Sequence, residues 1–394
     1  EDVERLTQID GSMPRLNALP SGCRFHPRCP SAFAHCATER PELIEVGNSQ
    51  VACWLYDKEK GAGKSTGHET REKKQPTVTK TTPQPANILL QVEGLKQYFD
   101  VSPPLLTRLL ERTGRKYVHA VDGLDFTINR GETFGLVGES GCGKSTVARA
   151  IVGLYKATAG SIEFSYSGKG KLDDKARMQM IFQDPHASLN PRWRVREIVA
   201  EAIPAGTAST KQGITARVSE LLAQVGLAAE DARKYPHEFS GGQRQRISIA
   251  RALAGEPEFL VCDEPTSALD VSVQAQILNL MVDLQRRMGL TYLFISHDLA
   301  VVNHISSKVG VMYLGRLVEW ADTHTLFSNP QHPYTRMLLD SIPDLTNIGA
   351  KRSQVGGEVP SPINPPSGCT FHPRCPFATD RCKSEVPIAS SVSG

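Results

Sequence analysis

The stretch TFGLVGESGCGKST, residues 133–146, decides the fold of this 394-residue chain. TFGLV has the composition of a buried strand, GESGCGKS fits the phosphate-loop pattern G-x-x-x-x-G-K-[ST], and KSTVARAIVG continues with helical spacing. A strand, a glycine-rich loop and a helix in this order form the context that such a loop requires. We therefore predict a site for a nucleoside triphosphate. The residues predicted to contact its phosphates are Gly138, Glu139, Ser140, Gly141, Cys142, Gly143, Lys144, Ser145 and Thr146.

The residue types in this loop fit phosphate binding. Glycines let backbone N–H groups converge on phosphate oxygens without a Cβ atom in the way, and the start of the helix adds a partial positive charge. Lys144 can neutralise oxygens of the β- and γ-phosphates, and the hydroxyl of Ser145 can bind Mg²⁺.

A second stretch, FLVCDE at 259–264, places two carboxylates at the end of a predicted strand. Asp263 is positioned to hold Mg²⁺ through water. Glu264 can face the γ-phosphate and polarise a water molecule for in-line attack. An acidic pair at a strand end is unremarkable alone, and it becomes specific because a complete phosphate loop precedes it in the same predicted sheet.

Short β-branched runs alternate with helical stretches from residue 88 onward. Several of the runs are apolar throughout, which is typical of central strands covered on both faces. The alternation predicts an α/β domain with a mainly parallel core sheet. The predicted strands are 88–93, 124–128, 133–137, 178–182, 258–262 and 292–296, and the predicted helices are 144–153, 214–226, 242–254, 271–287 and 332–342.

The composition limits the classes of protein to which this chain can belong. The content is 40% hydrophobic and 22% charged, which is ordinary for a globular protein, and no apolar run reaches the roughly 18–20 residues of a membrane helix. A net charge of +3 is too small to argue for nucleic acid as a partner.

The first ten residues, EDVERLTQID, lack the features of a signal peptide and an initiator Met, so we expect the sequence to begin inside a longer polypeptide.

A third motif, FSGGQRQR at 239–246, opens another predicted helix and makes a second anion-binding helix terminus. One nucleotide cannot fill both this terminus and a distant phosphate loop. The simplest arrangement is two domains face to face, each presenting its Ser-Gly-Gly to the ATP of the other. The residues predicted to do so are Ser240, Gly241, Gly242 and Gln243.

With these motifs in place, residues 88–320 resemble the ATP-binding-cassette (ABC) ATPases. The phosphate loop, the glutamine of IFQDP, FSGGQ, DEPTSALD (263–270) and ISHD (295–298) follow one another in the family order. A Phe stands where the family signature commonly begins with Leu, which preserves an apolar anchor. The resemblance implies a P-loop nucleotide-binding domain with a mainly parallel core sheet, an antiparallel β subdomain and a helical subdomain.

The resemblance also implies roles for single residues. Gln183 would reach Mg²⁺ and the attacking water, and would lie in the loop that senses a transmembrane partner. His297 would hydrogen-bond the γ-phosphate and hold Glu264 in line, and Asp270 would cross the interface between two cassettes.

An aromatic side chain is expected to stack on adenine. Family position favours Phe99, within LKQYF, and Tyr98 and Tyr117 are alternatives because residues 100–116 look like an insertion.

The chain carries one sixteen-residue motif twice, SGCRFHPRCPSAFAHC at 21–36 and SGCTFHPRCPFATDRC at 367–382. The tail from 314 to 343 and the second copy resemble the ends of ATP-binding subunits of oligopeptide/dipeptide importers. We therefore expect four regions. They are 1–56, a Cys-rich extension of a preceding cassette; 57–87, a flexible linker; 88–330, the ABC ATPase domain; and 331–394, a C-terminal extension with the second Cys motif.

The linker contains GAGKST at 61–66, which resembles half of a phosphate loop. It lacks the first glycine of the pattern, a preceding strand and a following helix. We interpret this stretch, including Lys64, as a coincidence.

The clustered cysteines suggest a metal sooner than disulfides in a reducing compartment. Four thiolates could hold an iron–sulfur cluster or Zn²⁺, although the spacing matches neither a C-x2-C zinc module nor common ferredoxin patterns. A metal-free structural cluster and a redox sensor are the alternatives. The candidate ligands are Cys23, Cys29, Cys36 and Cys53 in the first copy, and Cys369, Cys375 and Cys382 in an incomplete second set.

The function implied by the resemblance is an ATPase that energises import of peptides or similar small solutes, peripheral to the cytoplasmic face of the membrane. Its cofactors would be ATP and Mg²⁺. Its partners would be a second cassette, transmembrane permease subunits and, indirectly, an extracytoplasmic solute-binding protein. The alternative is a soluble tandem ABC ATPase acting on ribosomes or DNA, which the sequence NPQHPYTRMLL (329–339) argues against. The transported solute is not encoded in this chain.

Overall fold

The computed structural model describes residues 6, 19–46, 49–57, 87–104, 107–108, 110, 114–165, 177–206, 210–341 and 357–390. The chain divides into two units, Glu1–Pro83 and Gln84–Gly394, and each is described by itself. Residues 58–86 of the expected linker, including Lys64, lie outside the described residues.

The first unit is small and has a short helix, a two-stranded hairpin and few buried side chains. Trp54 is buried, its indole N–H donates to the carbonyl of Glu39 at 2.9 Å, and its ring meets His35 edge-on at 4.5 Å. The elements are a 3₁₀ turn (His26–Arg28), α1 (Ala34–Thr38), β1 (Ile44–Val46), β2 (Ser49–Val51) and a 3₁₀ turn (Trp54–Tyr56).

The second unit is built on a six-stranded sheet in the order β11-β10-β5-β9-β8-β7. All neighbours are parallel except β10 and β11. Every residue of β5, β8 and β9 is buried, because these strands are covered on both faces. The strands are β5 (Thr133–Val137), β7 (Met178–Ile181), β8 (Phe259–Asp263), β9 (Thr291–Ile295), β10 (Lys308–Tyr313) and β11 (Arg316–Asp322).

A three-stranded antiparallel sheet, in the order β4-β3-β6, packs against the central sheet. Phe126 of β4 stacks on Phe134 of β5 with 5.1 Å between ring centroids, which joins the two sheets in one hydrophobic core. The strands are β3 (Ile88–Asp100), β4 (Tyr117–Asn129) and β6 (Ala159–Phe164).

Helices cover the central sheet, and α4, α5 and α6 contact one another in a helical layer that packs on the sheet through α6 and β7. Within the described ranges, no helix is long and apolar enough to cross a membrane. The helices are α2 (Lys144–Ile151), α3 (Pro185–Ser188), α4 (Val195–Ala200), α5 (Lys211–Gln224), α6 (Gly241–Ala254), α7 (Val271–Met288), α8 (Leu299–Ile305), α9 (Thr323–Ser328), α10 (Pro333–Asp340) and α11 (Asp380–Ser384). Further 3₁₀ turns are Ala229–Arg233, Pro236–Glu238 and His372–Arg374.

The predicted fold class is confirmed: a mainly parallel core sheet, an antiparallel β subdomain and a helical layer are all present. Two strand predictions were too short, since β3 runs on to Asp100 and β4 begins at Tyr117. Long antiparallel pairing extends both strands beyond their apolar segments. The strands β6, β10 and β11 were not predicted from the sequence.

Candidate active site

Four adjacent strands of the central sheet carry the predicted site residues at one edge. Gln183 follows β7, Asp263 ends β8, His297 follows β9 and the phosphate loop follows β5. Because the strands are parallel, their carboxyl ends meet at the same edge of the sheet, where α/β proteins bind ligands. Residues far apart in sequence are thus gathered in one place.

Two glycines of the phosphate loop occupy positions that no other residue could fill. Gly138 has a φ of 152° and Gly143 a φ of 108°. A Cβ atom on Gly138 would lie 2.2 Å from the carbonyl oxygen of Met312, and one on Gly143 would lie 2.1 Å from that of Ala120. The loop is therefore wrapped closely by neighbouring backbone, as a rigid phosphate cradle requires.

The lysine of the loop is buried and turned toward the loop itself. Lys144 Nζ donates to the carbonyl oxygens of Gly138 at 2.7 Å and Glu139 at 3.0 Å. The thiol of Cys142 is also buried, and this burial raises its pKa, so the side chain is a packing element rather than a nucleophile.

A hydroxyl and a carboxylate pair lie beside the loop. The Ser145 hydroxyl donates to Asp263 Oδ1 at 2.9 Å, and Asp263 is only 2% exposed. Burial raises the pKa of Asp263, and the hydrogen bond from Ser145 opposes that shift. Hydroxyl and carboxylate oxygens are the donors that Mg²⁺ prefers, so this pair fits the expected metal.

Glu264 is held by two side chains from neighbouring strand ends. Its Oε2 accepts a hydrogen bond from Gln183 Nε2 at 3.0 Å, and His297 Nδ1 lies 3.2 Å from the same oxygen. Because a carboxylate only accepts, this contact is a hydrogen bond in the tautomer of His297 that carries its proton on Nδ1. Glu264 also has a φ of 47°, in the left-handed region that non-glycine residues rarely adopt, and such strain is concentrated at functional sites. The structure thus brings these three side chains together, and their catalytic roles stay predictions.

The FSGGQ motif forms the start of α6. Ser240 Oγ accepts from the Gln243 N–H at 3.4 Å, and Gln243 Oε1 accepts from the Ser240 N–H at 3.0 Å, which closes a capping box. A Cβ atom on Gly242 would lie 2.4 Å from Val273 Cγ1, so the glycine lets α6 and α7 pack closely. Asp270 is exposed at the N-cap of α7. The roles of these residues toward a second cassette stay predictions.

The aromatic candidates for adenine differ in their surroundings. The Tyr98 hydroxyl donates to Asp122, and its ring lies 4.3 Å from that of His119. Phe99 has no polar group to satisfy and meets Tyr155 edge-on at 5.2 Å. Its role toward adenine stays a prediction.

The cysteines are not gathered into a metal site. All nine are free thiols, and across the described ranges no three His, Cys, Asp or Glu side chains are grouped so as to hold a metal ion. The structure therefore gives no support to the iron–sulfur or zinc hypothesis.

One set of contacts at the phosphate loop was not predicted from the sequence. Arg374, in the second HPRC motif, forms an ion pair with Glu139, and the Tyr334 hydroxyl accepts a hydrogen bond from the Glu139 N–H. The repeat of the motif was visible in the sequence, but nothing indicated its partner.

Comparison with known proteins agrees with this geometry. The ABC transporter family matches residues 121–267, and the family described as the oligopeptide/dipeptide transporter C-terminal region matches residues 1–36 and 318–382. Among solved structures, cbiO1 from Clostridium perfringens, part of the ABC transporter complex cbiONQ, is 27% identical with a TM-score of 0.51, covering 62% of this chain and 92% of that one. The ATP-binding cassette MJ0796, in a dimeric post-hydrolysis state bound to ADP and phosphate, is 25% identical with a TM-score of 0.50, covering 60% and 99%.

Curated relatives are much more similar. The oligopeptide transport ATP-binding protein AppF of Bacillus subtilis is 50% identical, over 76% of this chain and 92% of its own length. OppF of Salmonella typhimurium, of the same description, is 48% identical, and the dipeptide transport ATP-binding protein DppF of Haemophilus influenzae is 47% identical, both with the same coverage. The chain therefore belongs to the ABC transporter family, in its group of oligopeptide and dipeptide transport ATP-binding proteins.

Proposed function

We propose that this chain hydrolyses ATP to energise the import of peptides or similar small solutes through a membrane ABC importer. The observation that carries the proposal is the grouping of Gln183 and His297 on one carboxylate oxygen of Glu264, next to the Ser145–Asp263 pair and the phosphate loop.

Each group of site residues has a separate role in ATP binding and hydrolysis. The phosphate loop and Lys144 bind the phosphates of ATP and balance their charge. Ser145, Asp263 and Gln183 would hold Mg²⁺, which when bound supplies positive charge to the phosphate oxygens. Glu264 takes the proton of the attacking water, and His297 keeps the carboxylate oriented toward it.

A second cassette completes the site in this proposal. Ser240, Gly241, Gly242 and Gln243 lie at an accessible helix start, and Asp270 is exposed at the N-cap of α7, so these residues can face the ATP of another cassette. The dimeric state of the similar cassette MJ0796 supports this arrangement. Phe99 is the proposed adenine platform.

The transport role follows from the relatives. Their names assign oligopeptide or dipeptide transport, and the C-terminal match over 318–382 ties this chain to the same group, which disfavours the alternative of a soluble ATPase acting on ribosomes or DNA. Permease subunits would then receive the motion of the cassettes at the cytoplasmic face of the membrane. A solute-binding protein outside would deliver the solute.

We also propose that 1–56 is the C-terminal extension of a preceding cassette, joined by a linker at 57–87 to the cassette at 88–330 and its own extension at 331–394. The match of 1–36 to the C-terminal region family supports this. The two Cys-rich motifs also share local structure, since the Cys23 N–H donates to the Cys36 carbonyl and the Cys369 N–H to the Cys382 carbonyl, both at 2.8 Å. Intact-mass measurement of the protein from its source tests the tandem arrangement, and a mass near 43 kDa would contradict it.

The hydrolytic assignment is tested with Glu264→Gln. This change keeps the size and hydrogen bonds of the side chain but removes its basicity, so we expect ATP binding to persist while hydrolysis falls roughly 10²- to 10⁴-fold. Glu256→Gln is the matched control, because Glu256 also has a positive φ, 52°, but pairs with Arg217 on the surface. Near-normal turnover of Glu264→Gln would contradict the proposal.

A further inference from the structure

The C-terminal extension is anchored beside the phosphate loop by an aromatic cluster. Phe371, 1% exposed, lies 5.2 Å from the ring of Tyr313 and 5.5 Å from the rings of Tyr334 and His332. Tyr313 is the last residue of β10, the strand that pairs with β5 immediately before the loop. The extension therefore docks at the same sheet edge as the nucleotide site.

A second anchor fixes the path of the chain into the extension. The His119 N–H of β4 donates to the carbonyl of Pro362 at 3.0 Å. The segment before the Cys motif is thus tied to the antiparallel sheet, and the motif itself to the central sheet.

The extension holds Glu139 of the phosphate loop in two ways: Arg374 binds the Glu139 side chain, and Tyr334 of α10 binds the Glu139 backbone. Arg374 Nη1 and Nη2 donate to the two carboxylate oxygens at 2.8 and 3.1 Å, a bidentate pair in which the arginine side chain is only 3% exposed. The Tyr334 hydroxyl accepts from the Glu139 N–H at 2.9 Å. The Glu139 carbonyl in turn accepts from Lys144, so these contacts lead directly to the phosphate-binding lysine.

The negative charge of Glu139 has to be neutralised by Arg374 if the loop is to bind the phosphates of ATP. A carboxylate within a loop that binds a polyanion repels that anion unless a cation neutralises it, and the repulsion is stronger away from bulk water. Arg374 is a buried cation that matches the carboxylate with two parallel hydrogen bonds. Removing it would leave an unpaired negative charge beside the phosphates.

We propose that the C-terminal extension is a positioning element for ATP: Arg374 and Tyr334 hold the phosphate loop in its binding shape, and Arg374 cancels the charge of Glu139. The affinity of the cassette for ATP then depends on docking of the Cys-rich segment. This inference rests on the proposed function, because it requires the loop to bind ATP.

The test measures binding of a fluorescent ATP analogue, and its displacement by ATP and AMP, on the full chain. Arg374→Gln should weaken ATP binding about tenfold or more, and AMP binding less, because the repulsion grows with phosphate charge. Arg381→Gln is the matched control: Arg381 lies in the same extension, is 80% exposed and pairs only at the surface with Glu385. It should bind ATP like the unmodified chain.

The decisive variant combines Arg374→Gln with Glu139→Gln. With the carboxylate gone, the cation is no longer needed, and most of the lost ATP affinity should return. A double variant that binds ATP no better than Arg374→Gln would overturn the inference, as would unchanged binding in the single variant. If Arg374→Gln does not fold, the double variant decides alone, and failure to bind ATP counts against the inference. An unmodified chain without ATP binding would instead refute the proposed function.

Discussion

The two Cys-rich motifs offer a matched pair of truncations, Phe371→Ala and Phe25→Ala. The two residues occupy the same position in SGC-x-FHPRCP, and each precedes a 3₁₀ turn of identical sequence. Phe371 is 1% exposed, whereas Phe25 is 44% exposed. The same substitution therefore removes a packed side chain in one motif and a half-solvated one in the other.

The expected loss of stability in each variant follows from the exposed fraction of the side chain that is removed. Truncating a fully buried Phe costs about 3–5 kcal/mol, which includes its contacts with the surrounding rings. Burying an entire Phe side chain stabilises a protein by about 1.5–3 kcal/mol. Nearly half of the Phe25 side chain is already in water, so truncating it to Ala should cost only about 1 kcal/mol of stability. At about 1.4 kcal/mol per tenfold change, we expect opening of the second motif to rise at least 10²-fold, and opening of the first less than tenfold.

Amide hydrogen exchange read by mass spectrometry measures both openings in the 394-residue chain. Protection at 367–384 should collapse in Phe371→Ala, while protection at 21–37 should change little in Phe25→Ala. Exchange in β5 and β9 serves as the internal control, because these strands belong to the core of the sheet. Equal losses in the two motifs would refute the reasoning from burial.

The remaining predictions concern the two lysine-bearing glycine stretches and the cysteines. Lys144→Ala should abolish nucleotide binding and Lys64→Ala should leave it unchanged, because only the stretch around Lys144 has the sequence pattern of a strand before it and a helix after it. Photo-crosslinking with a labelled ATP analogue measures both, and equal losses would mean that the linker interpretation is wrong. If the first cysteine set holds a metal, Cys29→Ser should release that metal and make residues 21–56 sensitive to protease, while the cassette still binds ATP. Metal analysis and an absorption spectrum after anaerobic purification measure the metal content. A metal-free chain whose extension resists protease would contradict the metal hypothesis.

Much of the candidate site could be predicted from local sequence motifs. The phosphate loop and the Asp263–Glu264 pair could be predicted because each depends on a short run of residues with a defined backbone context. In the structure they lie at the ends of β5 and β8 of one sheet, with β9 between these two strands. Strand boundaries were less predictable: β3 and β4 extend over polar residues because their pairing partners, rather than their own sequences, define their ends.

The sequence by itself determined that the chain has a nucleotide-binding α/β core, since alternating strands and helices and a complete phosphate loop admit few other folds. Only the tertiary structure decided which distant side chains meet. Gln183 and His297 converge on one oxygen of Glu264 because β7, β8 and β9 are neighbours in the sheet. Arg374 reaches Glu139 across 235 positions because an aromatic cluster docks the extension at the end of β10. Such contacts depend on packing between elements, and packing is not encoded in the spacing of any single motif.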